Sequence, residues 1–85
     1  MTHVAHELHD EFPADGEILH RLKVEDGHFA RIAEQYHVLN REIHRIEAGV
    51  EGASDARAED LKKQRLSLLD QVAKRISDEK AKVQA

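Results

Sequence analysis

The 85-residue chain has no cysteine, which excludes disulfides, thiolate metal sites and a cysteine nucleophile. It has no tryptophan, one tyrosine, two phenylalanines and a single proline. So few aromatic rings leave little on which a nucleic-acid base can stack. No apolar run approaches the ~18 residues that a membrane span needs. Residues 1–12 have neither the basic stretch nor the apolar core of a secretory signal, so the expected location is the cytoplasm. No glycine-rich phosphate loop, no Ser/His/Asp set and no pair of acids facing a cleft is evident, so no enzyme activity, no cofactor and no small-molecule substrate is expected.

What the chain does have is charge and helical periodicity. Charged residues make up 35% and the net charge is −4 with histidines neutral. Such a mixed, mildly acidic balance attracts neither nucleic acid nor anionic membranes. Seven histidines stand out: protonating all of them takes the net charge from −4 to +3. A charge-driven association would therefore depend on pH between roughly 5 and 7. The length allows one domain, and the scarcity of turn residues and β-branched runs makes it all-α.

The main signal lies between Phe29 and Val50. Apolar residues fall at Phe29, Ile32, Tyr36, Leu39, Ile43, Ile46 and Val50, in alternating steps of three and four. That is a 3.5-residue repeat, which keeps one seam of a helix facing a partner helix. Backwards, the repeat runs through Leu22 and Ile18 but meets Glu25 between them and Phe29. Asp26 is placed to cap a fresh helix at Gly27, so the pattern reads as one kinked helix or two collinear ones. Gly49 suits a left-handed C-cap, with Val50 packing back on the helix.

Ser54 then opens a second helix as N-cap. Its apolar residues Leu61, Leu68, Leu69, Val72, Ile76 and Val83 share one stripe. The expected fold is all-α, an antiparallel two-helix hairpin of coiled-coil type with a short N-terminal helical segment. Residues 1–14 form that short helix or tail, capped at Thr2, with Val4, Ala5 and Leu8 as its apolar edge. Residues 15–85 form the hairpin domain: a helix over about 17–48 with a break near 24–27, a turn over 49–53 and a helix over about 55–83. Leu61, Leu68 and Val72 complete the seam begun by Phe29, Ile32, Tyr36, Leu39, Ile43, Ile46 and Val50.

Two helices cannot bury such a seam on all sides. Either the N-terminal segment (Val4, Leu8, Phe12, Ile18) folds over the hairpin or two hairpins pair into a four-helix bundle. Leu66, Leu69, Ala73 and Ile76 form the edge expected at that extra contact. The leading functional expectation is thus a non-enzymatic helical interaction module that self-associates or docks to another protein. A second expectation is metal binding or pH response through His3, His6 and His9, whose three-residue steps share a face if the segment is helical. A solvated, histidine-rich tail explains the same residues without a ligand. His37 and His44 read as an exposed polar face, and Tyr36 as a core tyrosine with its hydroxyl at the rim. The basic residues Lys62, Lys63, Arg65, Lys74 and Arg75 are interleaved with Glu59, Asp60 and Asp70 and read as solvated charge.

The run His20-Arg21-Leu22-Lys23, Asp26 and His28-Phe29 to Tyr36, then Glu42-Ile43-His44-Arg45-Ile46-Glu47, a glycine-containing turn, and Ser54-Asp55 on to Leu61-Lys62-Lys63-Gln64-Arg65-Leu66 and Asp70 resembles the small bacterial YdcH-like family. The likeness covers about residues 12–76. It implies a short helical, coiled-coil-like protein with no assigned biochemical role, and it supplies no catalytic residues. One departure is Ala56-Arg57-Ala58, where relatives carry acidic residues after the cap. Arg57 removes the reciprocal capping box and sets a cation at the positive helix end, so the start of the second helix is expected to fray.

Overall fold

The computed structural model describes residues 6–84, with side chains to residue 82. Thr2, His3, Val4 and Ala5 lie outside the described residues, as does the Val83 side chain. Among the described residues all regular structure is helical: α1 (Leu8–Glu11), a 3₁₀ turn (Pro13–Asp15), α2 (Gly16–Glu25), α3 (Gly27–Glu47) and α4 (Asp55–Gln84). The break expected near 24–27 falls at Asp26 and separates α2 from α3, so the hairpin of the expected fold is preceded by two helices, α1 and α2.

His6 has φ 66°, outside the right-handed helical region, so the helix expected from Thr2 onward is described only from Leu8. The Asp10 carboxylate accepts the Glu7 N–H at 3.2 Å and fixes that start. Pro13 ends α1 and opens the 3₁₀ turn, since proline has no N–H to give a continuing helix. At the second break Asp26 is extended, with φ −119° and ψ 103°. Its Oδ1 accepts the N–H groups of His28 at 3.0 Å and Phe29 at 3.1 Å, making a fresh helix start.

α2 does not continue α3 in a straight line. If it did, Gly16 would lie about 30 Å beyond Tyr36 at ~1.5 Å per residue. Residues 8–15, nearly all helical, span only about 15 Å. Yet the Tyr36 hydroxyl donates to the His6 carbonyl, and Glu7 pairs with His37 at 2.8 Å. The chain bends back at Asp26, and α1, the 3₁₀ turn and α2 form a layer over α3 and α4.

At its other end α3 closes with paired backbone bonds. The Val50 N–H donates to Arg45 O at 3.0 Å and the Gly49 N–H to Ile46 O at 3.2 Å, the two bonds of a Schellman cap. Gly49 has φ 78°, which glycine adopts without a Cβ clash. Val50, expected in the seam, is instead 78% exposed. The cap is satisfied by backbone alone, and the left-handed step carries the chain off the helix before Val50 can pack. Ser54 Oγ accepts the Arg57 N–H at 3.2 Å, so α4 keeps half of its cap. The Arg57 guanidinium crosses to Glu42 rather than lying idle at the positive end.

Cross-helix partners run in opposite order: Asp26 with Arg75, Asn40 with Arg65, Glu42 with Arg57. α3 and α4 thus pass each other antiparallel. The larger core gathers Leu8, Leu19, Leu22, Phe29, Ile32, Ala33, Tyr36, Val72 and Ile76, with Phe12, Ile18, Leu68 and Leu69 packed against it. A smaller core near the turn joins Leu39, Ile43 and Leu61, with Ile46 and Leu68 at its side. Leu68 touches both, so the apolar seam is continuous along the helix pair.

Candidate interaction surface

The α3–α4 pair has two faces, and the N-terminal layer covers one of them. On that face Tyr36 is fully buried and its hydroxyl is used by the His6 carbonyl. Burial, reinforced by the negative charge of Glu11, pushes the Tyr36 hydroxyl up to about 12. It stays protonated and acts as a donor that holds the layer, which leaves it no part in proton transfer near neutrality.

The rim of the same face is ionic. Arg21 of α2 reaches Glu79 of α4 at 2.9 Å, and Lys80 reaches Asp15 at 2.8 Å. Glu79 also accepts from Arg75 at 2.8 Å, and Arg75 in turn meets Asp26 at 3.0 Å. The Arg75 hydrogen bond, with the charges of Lys82 and Arg21 adding to it, holds the Glu79 carboxyl below its usual range. The Phe29 N–H, and after it Arg75, does the same for Asp26. Hydrogen bonds to Glu79 and Asp26 raise Arg75. These groups are matched to one another and work as a clasp at the bend.

The opposite face is open. Along it a groove of 590 Å³ lies between Glu34, Gln35, Val38, Leu39 and Glu42 of α3 and Gln64, Ser67 and Leu68 of α4. A 240 Å³ hollow continues past Phe29 and Ile32 to Gln71 and Lys74 and ends against Asp26 and Arg75 of the clasp, and a 150 Å³ one lies at Ile46, Ala58 and Leu61. The floor is apolar, and Gln35, Gln64 and Gln71 supply amides that both donate and accept. Val38 is 54% exposed at the groove wall.

Phe29, Ile32, Tyr36, Leu39, Ile43, Leu61 and Val72 of the expected seam are buried, while Ile46 and Leu68 are half-buried. The expected partner edge divides. Ile76 is buried in the larger core with Leu19 and Leu22, Leu69 is half-buried, and Leu66 and Ala73 remain exposed. Ile76 is therefore part of the core and not of a free edge, because α2 folds onto it.

The histidines are dispersed. His6 Nδ1 lies 2.9 Å from Glu11, and His9 Nε2 lies 3.5 Å from Asp10. The two are not on one helix face, since His6 precedes α1 in a left-handed conformation, and His3 lies outside the described residues. No group of three or more His, Cys, Asp or Glu among the described residues is placed to hold a metal ion. His44 is exposed; His37 is not simply a surface residue, since it bonds Glu7.

Periodicity overlooked Val38 and the glutamines of the groove because they flank the seam instead of lying in it. It also passed over Asn40 and Arg65. Asn40 follows Tyr36 by four residues and Arg65 precedes Val72 by seven, so both sit in the apolar stripe. Polar residues at such positions are the signal for a register-setting contact.

The molecule is a small all-helical protein, and no helix among its described residues is long and apolar enough to cross a membrane. Residues 29–76 match the family described as Protein of unknown function (DUF465), and the chain belongs to that family. The matched span is α3, the turn and most of α4. No curated protein and no solved structure matches the chain.

Proposed function

We propose that the protein is a non-enzymatic interaction module of the cytoplasm, built on an antiparallel helical hairpin whose open α3–α4 groove receives a helix of a protein partner. The observation that carries this reading is the groove's one-sidedness. The N-terminal layer satisfies one face, and the other keeps an apolar floor between two parallel walls, the shape into which an amphipathic helix lies. Glu34 stands at the groove wall beside the amide of Gln35, which suits a partner helix that carries basic or amide side chains along its flank. The locked Tyr36 hydroxyl and the mutually paired acids at the bend support a binding role over a chemical one. The YdcH-like resemblance points the same way, since it brings a helical scaffold and no catalytic set.

Capture of partners on immobilised wild-type protein, compared with Val38→Glu and Ser67→Glu in the groove, tests the reading. Both variants should lose the bound species while Leu66→Glu, on the other side of α4, keeps it. Equal capture by all of them would sink the groove as the binding surface.

A further inference from the structure

α2 and α3 are separated by one non-helical residue, Asp26. Across it the apolar repeat keeps its register: Ile18, Leu22, Phe29 and Ile32 hold the 3.5-residue step with only Glu25 at fault. The two helices are in phase to be one. What keeps them apart is local. Asp26 Oδ1 caps His28 and Phe29, and its Oδ2 accepts from Arg75 Nε at 3.0 Å.

The layer is held by Tyr36 to His6, His37 to Glu7, Glu79 to Arg21 and Lys80 to Asp15, with Leu8, Leu19 and Leu22 in the core. Each of these contacts joins a residue before Asp26 to a residue after it. A second copy can supply either half with every contact preserved.

We propose that Asp26 is the hinge of a reciprocal exchange, in which residues 6–25 of one copy dock on α3 and α4 of a second copy and the reverse. With Asp26 helical, α2 and α3 join into one helix over 16–47. The N–H groups of His28 and Phe29 then bond the carbonyls of Val24 and Glu25 in place of the carboxylate, and the Gly27 N–H bonds that of Lys23. The straight chain uncovers its own Tyr36 face, and the layer of the second copy covers it. A one-residue connection between packed elements favours such exchange, because the bend is its only cost beyond association. The receiving half holds the family's matched residues 29–76, and the exchanged half lies outside them. The exchange uses the covered face and does not rest on the open groove.

Two substitutions separate the forms. Gly27→Pro preserves the bend, because proline suits the first helical position and Asp26 before it is already extended. No atom lies within 4 Å of a Cβ built at Gly27. Asp26→Ala removes the cap and favours the straight form. The chain has no cysteine, so His20→Cys and Ser77→Cys, both at exposed positions beside the Arg21–Glu79 pair, accept a donor and an acceptor dye on separate populations.

After mixing and incubation at high concentration, energy transfer between the populations should appear in an otherwise unaltered background. The association constant it reports should rise about twenty-five-fold in Asp26→Ala, because a reciprocal exchange straightens two hinges and each lost N-cap gives about fivefold. In Gly27→Pro it should be absent. Transfer undiminished in Gly27→Pro, or none in the unaltered background at millimolar concentration, overturns the proposal. If Asp26→Ala loses helicity, the unaltered and Gly27→Pro proteins decide between themselves.

Discussion

Arg65 of α4 donates to the side-chain oxygen of Asn40 on α3 at 3.0 Å, and Asn40 is 1% exposed. The pair sits within the apolar seam, between Tyr36 on one side and Leu61 on the other. A buried polar contact at such a place fixes the register of two helices, since sliding by one turn would carry Arg65 away from Asn40 and break the bond. Asn40→Ala should therefore cost about 1.5–3 kcal/mol, the range for a lost hydrogen bond to a charged group. Urea denaturation followed by circular dichroism measures it; an unchanged midpoint would show that the contact sets nothing.

The Tyr36 hydroxyl, donating to the His6 carbonyl, ties the N-terminal layer to α3. Tyr36→Phe keeps the ring and removes the donor, with an expected loss of about 1 kcal/mol. Amide exchange over residues 8–11 should quicken more than over 55–76. Alkaline titration supplies the pH test. The folded hydroxyl is raised from 10.0 to about 12, so its contribution is complete below 10 and is lost as pH rises through 12. Wild-type stability should fall across that window more steeply than that of the phenylalanine variant.

The acid side depends on the clasp at Asp26, Arg75 and Glu79. Both carboxyls are held below their ordinary values of 3.8 and 4.5, so the unfolded chain takes up protons first as pH falls. Their stabilisation is present above those values and is lost progressively beneath them. Glu79→Gln should flatten the dependence of stability on pH below 4.5, the ordinary value of the group it removes. Unfolding curves collected from neutral pH down into that range decide it, and parallel curves for the two proteins would argue against the clasp.

Gly49→Ala tests the end of α3. A side chain at φ 78° is strained even though no atom crowds the position, and the expected cost is about 1 kcal/mol. Val50→Ser beside it should be nearly neutral, because the valine is exposed. Thermal unfolding of the two variants, side by side, checks both expectations.

The helix ends were legible in the sequence because their causes are local. The Asp26 cap needs only N–H groups two and three residues on, and the Gly49 cap only carbonyls within one turn. The periodicity from Phe29 to Ile43 likewise reports a face that is buried whatever covers it. Val50 was misplaced because the backbone closes the cap without its side chain. Ile76 takes the extra contact expected of its edge, but local spacing could not name the α2 residues that supply it, which lie more than fifty positions earlier in the chain. The Glu7–His37 pair and the groove beside Val38 were hidden for the same reason: both depend on how the layer returns over α3, which a one-residue bend decides. The N-terminal segment does fold over the hairpin, through Leu8, Leu19 and Leu22.

The face left open between α3 and α4 is the proposed binding surface for a partner helix. Site-specific photocrosslinking inside the native cell tests it most directly, with the reactive residue placed at Ser67 in the groove or at Lys23 on the outer side of α2. The groove position should yield a discrete adduct that Val38→Glu abolishes, and the α2 position should yield none. Adducts from Lys23 and not from Ser67, or adducts from Ser67 indifferent to Val38→Glu, would show that the groove is not the binding surface.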